Sequence, residues 1–147
     1  MIKKRLWLLV GSIGVFFLGF GAIQLIPYGH QQSNPVVIQE PAWNNAQTRA
    51  LTKRSCFDCH SNETIWPWYS QVAPISWLIQ QDVEKGRERL NFSEWNRHEN
   101  SFIGEAAQYL IQEDIMPPTH YLTLHPEAVL SEEEKQTLLD GLRESLK

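Results

Sequence analysis

Three textures of hydrophobic and polar positions follow one another along this chain. Leu6 to Ile26 is a run of 21 residues without a charge, in which Ser12 and Gln24 are the only clearly polar members. As a helix rising 1.5 Å per residue it would extend roughly 30 Å, the thickness of a bilayer core. Residues 28–42 turn polar, with Gln31, Gln32, Ser33 and Asn34 set among prolines, and predict a flexible tether. From about residue 43 apolar positions recur at helical spacing.

That last stretch predicts four helices. Asn44 or Asn45 can cap the first, which runs toward Cys56 with Ala46, Ala50 and Leu51 on one side. Pro74 suits the first position of the second. Ile75, Leu78, Ile79, Val83 and Leu90 then form its apolar stripe, and Gln80, Gln81, Glu84, Lys85, Arg87 and Glu88 its wet face. Asn91 or Ser93 can cap a short turn through Trp95. The third helix fits 101–114, with Ile103, Ala106, Ala107, Leu110 and Ile111 on one face, and Met116-Pro117-Pro118 must end it. Ser131 and Glu134 make a capping box for the fourth, whose stripe is Leu138, Leu139, Leu142 and Leu146. No segment alternates as a strand does, and no internal repeat is visible. The expected class is all-α: an anchor over 1–27, a tether over 28–42 and a single helical domain over 43–147.

Charge sharpens the reading of the first segment. Lys3, Lys4 and Arg5 precede the apolar run, and Trp7 and Tyr28 stand near its ends, where aromatics favour the membrane interface. A cleavable signal peptide is the competing expectation, with Leu6 to Leu18 as its hydrophobic region and Gly19-Phe20-Gly21 as a small-x-small site. The apolar run continues past that site through Ala22, Ile23, Leu25 and Ile26, which favours an uncleaved, single-pass anchor. Either way the basic start stays in the cytoplasm and the rest is exported, so the expected location is the periplasmic side of the inner membrane. The exported part holds ten basic and 17 acidic residues. That balance argues against nucleic acid as a partner, which demands basic surface.

The chemistry is concentrated in Cys56-Phe57-Asp58-Cys59-His60. C-x-x-C-H is the spacing of haem c attachment: each thiol can form a thioether to a haem vinyl group, and the histidine that follows lies under the iron. These are the only two cysteines. A zinc site could be written with His120 and His125 as H-x4-H, but it leaves His60 unexplained. A redox dithiol would want a βαβ context that is missing here.

A second iron ligand must come from farther along. Met116, the only methionine besides Met1, sits in a loop stiffened by two prolines, and a thioether there raises the reduction potential. His120 and His125 are the substitutes. His30 belongs to the tether and reads as solvated, and His98, between Arg97 and Glu99, reads as surface. Trp66, Trp68, Tyr69 and Trp77 could wall the haem and donate to its propionates, or be ordinary core. The second ring nitrogen of His60 needs a carbonyl acceptor, for which Pro67 and Pro74 are candidates.

The run Cys56-Phe-Asp-Cys-His-Ser-Asn-Glu-Thr, then Trp66-Pro-Trp-Tyr-Ser and Val72-Ala-Pro-Ile-Ser-Trp77, resembles the bacterial haem-binding domain family of monohaem c-type cytochromes. Asp82 to Arg87, Leu90 to Trp95 and Met116-Pro-Pro-Thr-His-Tyr121 fit the same pattern, so the resemblance covers about 43–147. It implies a cytochrome c-like helical fold around one covalent haem c, with thioethers at Cys56 and Cys59 and iron ligation by His60. Met116 matches the family's Met-Pro-Pro position.

The function expected from these readings is single-electron transfer between membrane or periplasmic redox proteins, not enzymatic catalysis, with the lipid bilayer as a further partner through the anchor. The alternatives are a haem-based sensor or peroxidase-like enzyme with a displaceable distal ligand, and an accessory subunit that needs its haem to fold.

Overall fold

The computed structural model describes residues 2–97 and 101–146, and among these every regular element is helical. The α-helices are α1 (Ile2–Ile23), α2 (Ala46–His60), α3 (Ile75–Arg89), α4 (Ser101–Gln112), α5 (Thr119–Leu124) and α6 (Glu132–Ser145). Short 3-10 turns at Trp68–Gln71, Trp95–Arg97 and Pro126–Ala128 separate them. The all-α expectation holds. α5 was not foreseen: six residues directly after two prolines are too few to show a period. The chain divides into two compact units, Met1–Gln32 with Trp66–Asp82, and Ser33–Ile65 with Val83–Lys147.

In the first unit, α1 is apolar over Lys3–Ile23 and none of that span is buried. Just beyond it, the Gln24 side chain makes a reciprocal pair of bonds with one residue. Its Nε2 donates to the Ala73 carbonyl (3.0 Å), and its Oε1 accepts from the Ala73 N–H (2.9 Å). Gly29 follows, at φ 87°, and a Cβ there would press on Ser76 and Trp77. His30 Nδ1 lies 3.3 Å from Gln71 Oε1, and Gln32 donates to the Ser70 carbonyl at 2.7 Å. His30 is therefore half-buried rather than solvated. His98 lies outside the described residues.

α3 departs from its predicted faces. Ile75 and Leu78 are exposed, while Ser76 and Gln80 are buried. Arg87, expected on the wet face, is half-buried in the second unit. Its guanidinium donates to the carbonyls of Ser61 (2.8 Å) and Ser33 (3.0 Å) and to Thr64 Oγ1 (2.9 Å). Period 3.6 reveals that a helix has an apolar stripe; it does not reveal which stripe its surroundings cover.

The second unit is built on leucines and phenylalanines. Leu51, Phe57, Phe92, Ile111, Leu138, Leu139, Leu142 and Leu146 make one buried cluster, with Trp43 against it. α6 packs on α2 and α4. Close approach requires glycine: a Cβ at Gly141 would run into Thr48 of α2, and one at Gly104 into the Leu146 carbonyl. α2 starts where Asn45 accepts the Thr48 N–H (2.9 Å), and Ser131 with Glu134 completes the capping box of α6. α2 buries Thr48, Leu51, Thr52 and Ser55, while Ala46 and Ala50 are exposed.

The segment predicted as a free tether is hydrogen-bonded along much of its second half. Asn34 donates to the Thr64 carbonyl (2.8 Å), and Ile38 N–H to Ser93 (2.8 Å). Glu40 accepts from Arg49 at 2.6 Å and 2.7 Å and from Trp43 at 2.6 Å. The Arg49 guanidinium holds the Glu40 carboxyl below the usual carboxylate range. Polar composition signalled solvent here, yet those same amides serve as side-chain donors.

Candidate haem site

Positions 56, 59 and 60 are spaced i, i+3, i+4 and share one face of α2. The two intervening residues of the motif do other work. Phe57 is almost wholly buried and stacks on Phe92 at 5.7 Å between ring centroids. Asp58 Oδ1 accepts the Ile65 N–H (2.9 Å), its Oδ2 accepts from the Tyr121 hydroxyl (2.8 Å), and its carbonyl accepts from Thr64 Oγ1 (2.7 Å). The motif is thereby fixed to the core by one residue and to α5 by the next.

His60 closes α2. Its Nδ1 lies 3.0 Å from two carbonyl oxygens, those of Gly86 and Leu90, at the C-terminal end of α3. The Gly86 carbonyl also accepts the Leu90 N–H at 2.9 Å, and a helix C-terminus concentrates partial negative charge there. A ring nitrogen that faces carbonyls must carry the hydrogen, so Nε2 keeps the lone pair, the form an iron ligand needs. Burial lowers the His60 pKa and keeps the ring neutral. The Phe92 N–H holds the His60 carbonyl at 2.8 Å. Gly86 is indispensable to this arrangement, since a Cβ would run into the Cys59 carbonyl. The acceptors are therefore Gly86 and Leu90, not Pro67 or Pro74. Main-chain contacts of this kind leave no mark in residue type except the glycine.

His60 and Cys56 open onto an apolar cleft enclosing about 800 Å³ of empty space, part of it continuous with solvent. Leu90 and Phe92 line it beside them, α4 contributes Ile103, Ala106, Ala107, Leu110 and Ile111, and α6 contributes Leu142. Met116 lines the same cleft. Its N–H donates to the Leu110 carbonyl at 3.0 Å, turning the chain sharply after α4, and Asp114 takes φ 54° in the same turn. Arg89 is the one charged side chain on the lining. Burial, with the Cys59 thiol beside it, pushes the Cys56 thiol up to about 12, so it is no thiolate at neutral pH.

The sequence candidates sort cleanly against this cleft. Cys56, His60 and Met116 line it; Cys59 sits one turn along from Cys56 with its carbonyl against Gly86. His120 is exposed, and His125 stacks on Tyr121 at 4.3 Å and faces Glu127 at 3.1 Å. Neither lines the cleft. Among the described residues no three His, Cys, Asp or Glu side chains gather as a metal-ion site, so the zinc set is not assembled. Trp66, Trp68, Tyr69 and Trp77 fall in the first unit, and the cleft is lined without them. The aromatics packed with the motif are Trp43 and Phe92 instead. Asp58–Tyr121 and Arg89 went unnoticed in the sequence, where a lone aspartate inside C-x-x-C and a helix-end arginine carry no pattern.

The donor set fits a haem. Apolar walls suit a flat hydrophobic ring, an imidazole and a thioether suit iron, and a guanidinium suits a propionate. The family model of the haem-binding domain matches residues 18–144. No curated protein and no solved structure matches the chain. The family match reaches back into α1, well before the segment in which the resemblance was read. Because it spans nearly the whole chain and the cleft meets haem's requirements, the chain belongs to the haem-binding domain family and is a haem protein.

Proposed function

We propose that this protein is a membrane-anchored electron carrier of the periplasmic side, a monohaem c-type cytochrome. The observation that carries the reading is that His60 and Met116 line one apolar cleft. His60 and Met116 would both be ligands to the haem iron, and the group would supply one-electron exchange between its ferrous and ferric states. Cys56 and Cys59 would hold the ring by thioethers. His60 is kept neutral by burial and oriented by the Gly86 and Leu90 carbonyls. The leucines and alanines of the cleft would shield the ring from water, and the Arg89 guanidinium would pair with a propionate.

Anchoring is supported by α1, apolar and unburied over Lys3–Ile23, with its three basic residues at the start. Gln24 and Gly29 are integrated with residues 73–77, and the family match includes residues 18–27. Cleavage after Gly21 would remove residues 18–21 of that match. An anchored domain meets membrane redox partners at high effective concentration.

A second reading, a haem-based sensor or peroxidase-like enzyme, draws on a further cavity that shares Ile111 and Met116 with the cleft and gives Met116 room to swing away. Covalency is tested by acid-acetone extraction and denaturing electrophoresis of the full-length protein. Haem should stay with the polypeptide, and Cys56→Ala or Cys59→Ala should abolish that retention. Haem extracted from intact wild type would overturn the c-type assignment.

A further inference from the structure

The first unit carries a surface that the haem cleft does not explain. α3 enters the unit with its faces inverted: Ser76 is 1 % exposed and Gln80 8 %, while Ile75 and Leu78 are 46 % and 47 % exposed. Trp68, a few residues earlier, is 82 % exposed and stands edge-on to Tyr69. A soluble surface would put the serine and glutamine outside. The composition is unusual in the same place. Neither 6–32 nor 66–81 contains an Asp, Glu, Lys or Arg, whereas every acidic residue but Asp82 lies in the second unit.

Depth follows from Gln24. The apolar span ends at Ile23, so Gln24 marks the outer edge of the hydrocarbon core. Its two hydrogen bonds to Ala73 bring that residue, just before α3, to the same level. From Ala73 to Leu78 the helix advances no more than about 8 Å, comparable to the depth of the headgroup region. Exposed tryptophan and aliphatic side chains without charge are what that layer accepts. Leu25 (83 % exposed) and Tyr28 (41 %) follow Gln24 at the same level.

We propose that Trp68, Ile75 and Leu78 form a lipid-contacting face that lies in the headgroup layer of the membrane crossed by α1. The proposal rests on the anchored reading of α1. The face makes a second attachment, and holds the start of α3 at a fixed depth. Because no charge takes part, the contact is insensitive to ionic strength.

The test uses the full-length, haem-loaded protein in vesicles of phosphatidylethanolamine and phosphatidylglycerol. A photo-crosslinking residue is placed singly by Trp68→benzoylphenylalanine, Ile75→benzoylphenylalanine or Leu78→benzoylphenylalanine. Val15→benzoylphenylalanine reports the core of α1 and Asp140→benzoylphenylalanine the aqueous surface. Illumination should give lipid adducts at 15, 68, 75 and 78, unchanged by high salt, and none at 140. Adducts at 15 alone would overturn the lipid face and leave the anchor standing. No adduct at 15 would remove the anchor, and this proposal with it. Crosslinks from 68 to a second copy of the chain in place of lipid would overturn the proposal as well.

Discussion

On one side of the cleft, His60 is held by main chain: the Gly86 and Leu90 carbonyls accept its ring N–H, the Phe92 N–H donates to its carbonyl, and Gly86 lets α3 lie against Cys59. On the other side Met116 follows a tight turn after α4, amid alanines, leucines and isoleucines, and the next helix is tied back to α2 by the Tyr121–Asp58 bond. The first wall fixes an orientation, because backbone groups cannot rotate away. The second fixes a volume and an apolar character, and its geometry depends on side chains that can move. In the electron-carrier reading, the rigid side would set ligand basicity and the adjustable side potential and access.

The contrast can be attacked from either side, and the rigid wall should yield the largest effects. His60→Ala or Cys59→Ala should abolish haem-loaded protein, read as haem stain per polypeptide. Gly86→Ala should cost about 1–3 kcal/mol in denaturant unfolding, since a methyl group forced against the Cys59 backbone must displace α3. It should also alter the electron paramagnetic resonance of the oxidised haem, because the His60 acceptors move with the helix. Met116→Ala should cost less in structure, about 2 kcal/mol, at the lower end for truncating a methionine because it is half-buried. Its reduction potential should fall, whereas His120→Ala and His125→Ala should leave the potential where it was.

Tyr121→Phe should give the smallest loss at neutral pH, about 1 kcal/mol. Its signature is alkaline. Burial and the neighbouring Asp58 carboxylate raise the Tyr121 phenol above its ordinary value. The folded state therefore holds that proton more tightly than the unfolded chain does. The resulting stability is complete below the ordinary phenol pKa of about 10 and is lost as pH climbs beyond it. Wild type should lose stability above that pH more steeply than Tyr121→Phe; parallel curves would refute the Asp58–Tyr121 clamp.

What the sequence disclosed follows the same divide between local and distant causes. C-x-x-C-H singled out Cys56 and His60, which line the cleft, Asn45 and Ser131 announced their helices, and Met116 stood out by scarcity and by its prolines. The acceptors of His60 were beyond reach, because a carbonyl has no residue type and α3 is brought beside α2 by the fold. The inverted face of α3 was misread for a related reason: an apolar stripe reads as core unless something else marks the solvent as lipid. Under the lipid-contact proposal, that mark is the absence of charge in 66–81, and the Gln24–Ala73 bonds give it a depth. The four aromatics were assigned to the haem from their place in the sequence, and the rings that pack with Phe57 of the motif are those of Trp43 and Phe92.

The central claim, that the chain fills both axial positions and so carries electrons, is tested most directly by the optical spectrum of the reduced full-length protein before and after carbon monoxide. The account predicts a spectrum unchanged on mixing for wild type and an immediate, stoichiometric change for Met116→Ala. An immediate change in wild type would show an open or readily vacated position, and would contradict the electron-carrier assignment in favour of a ligand-binding haem.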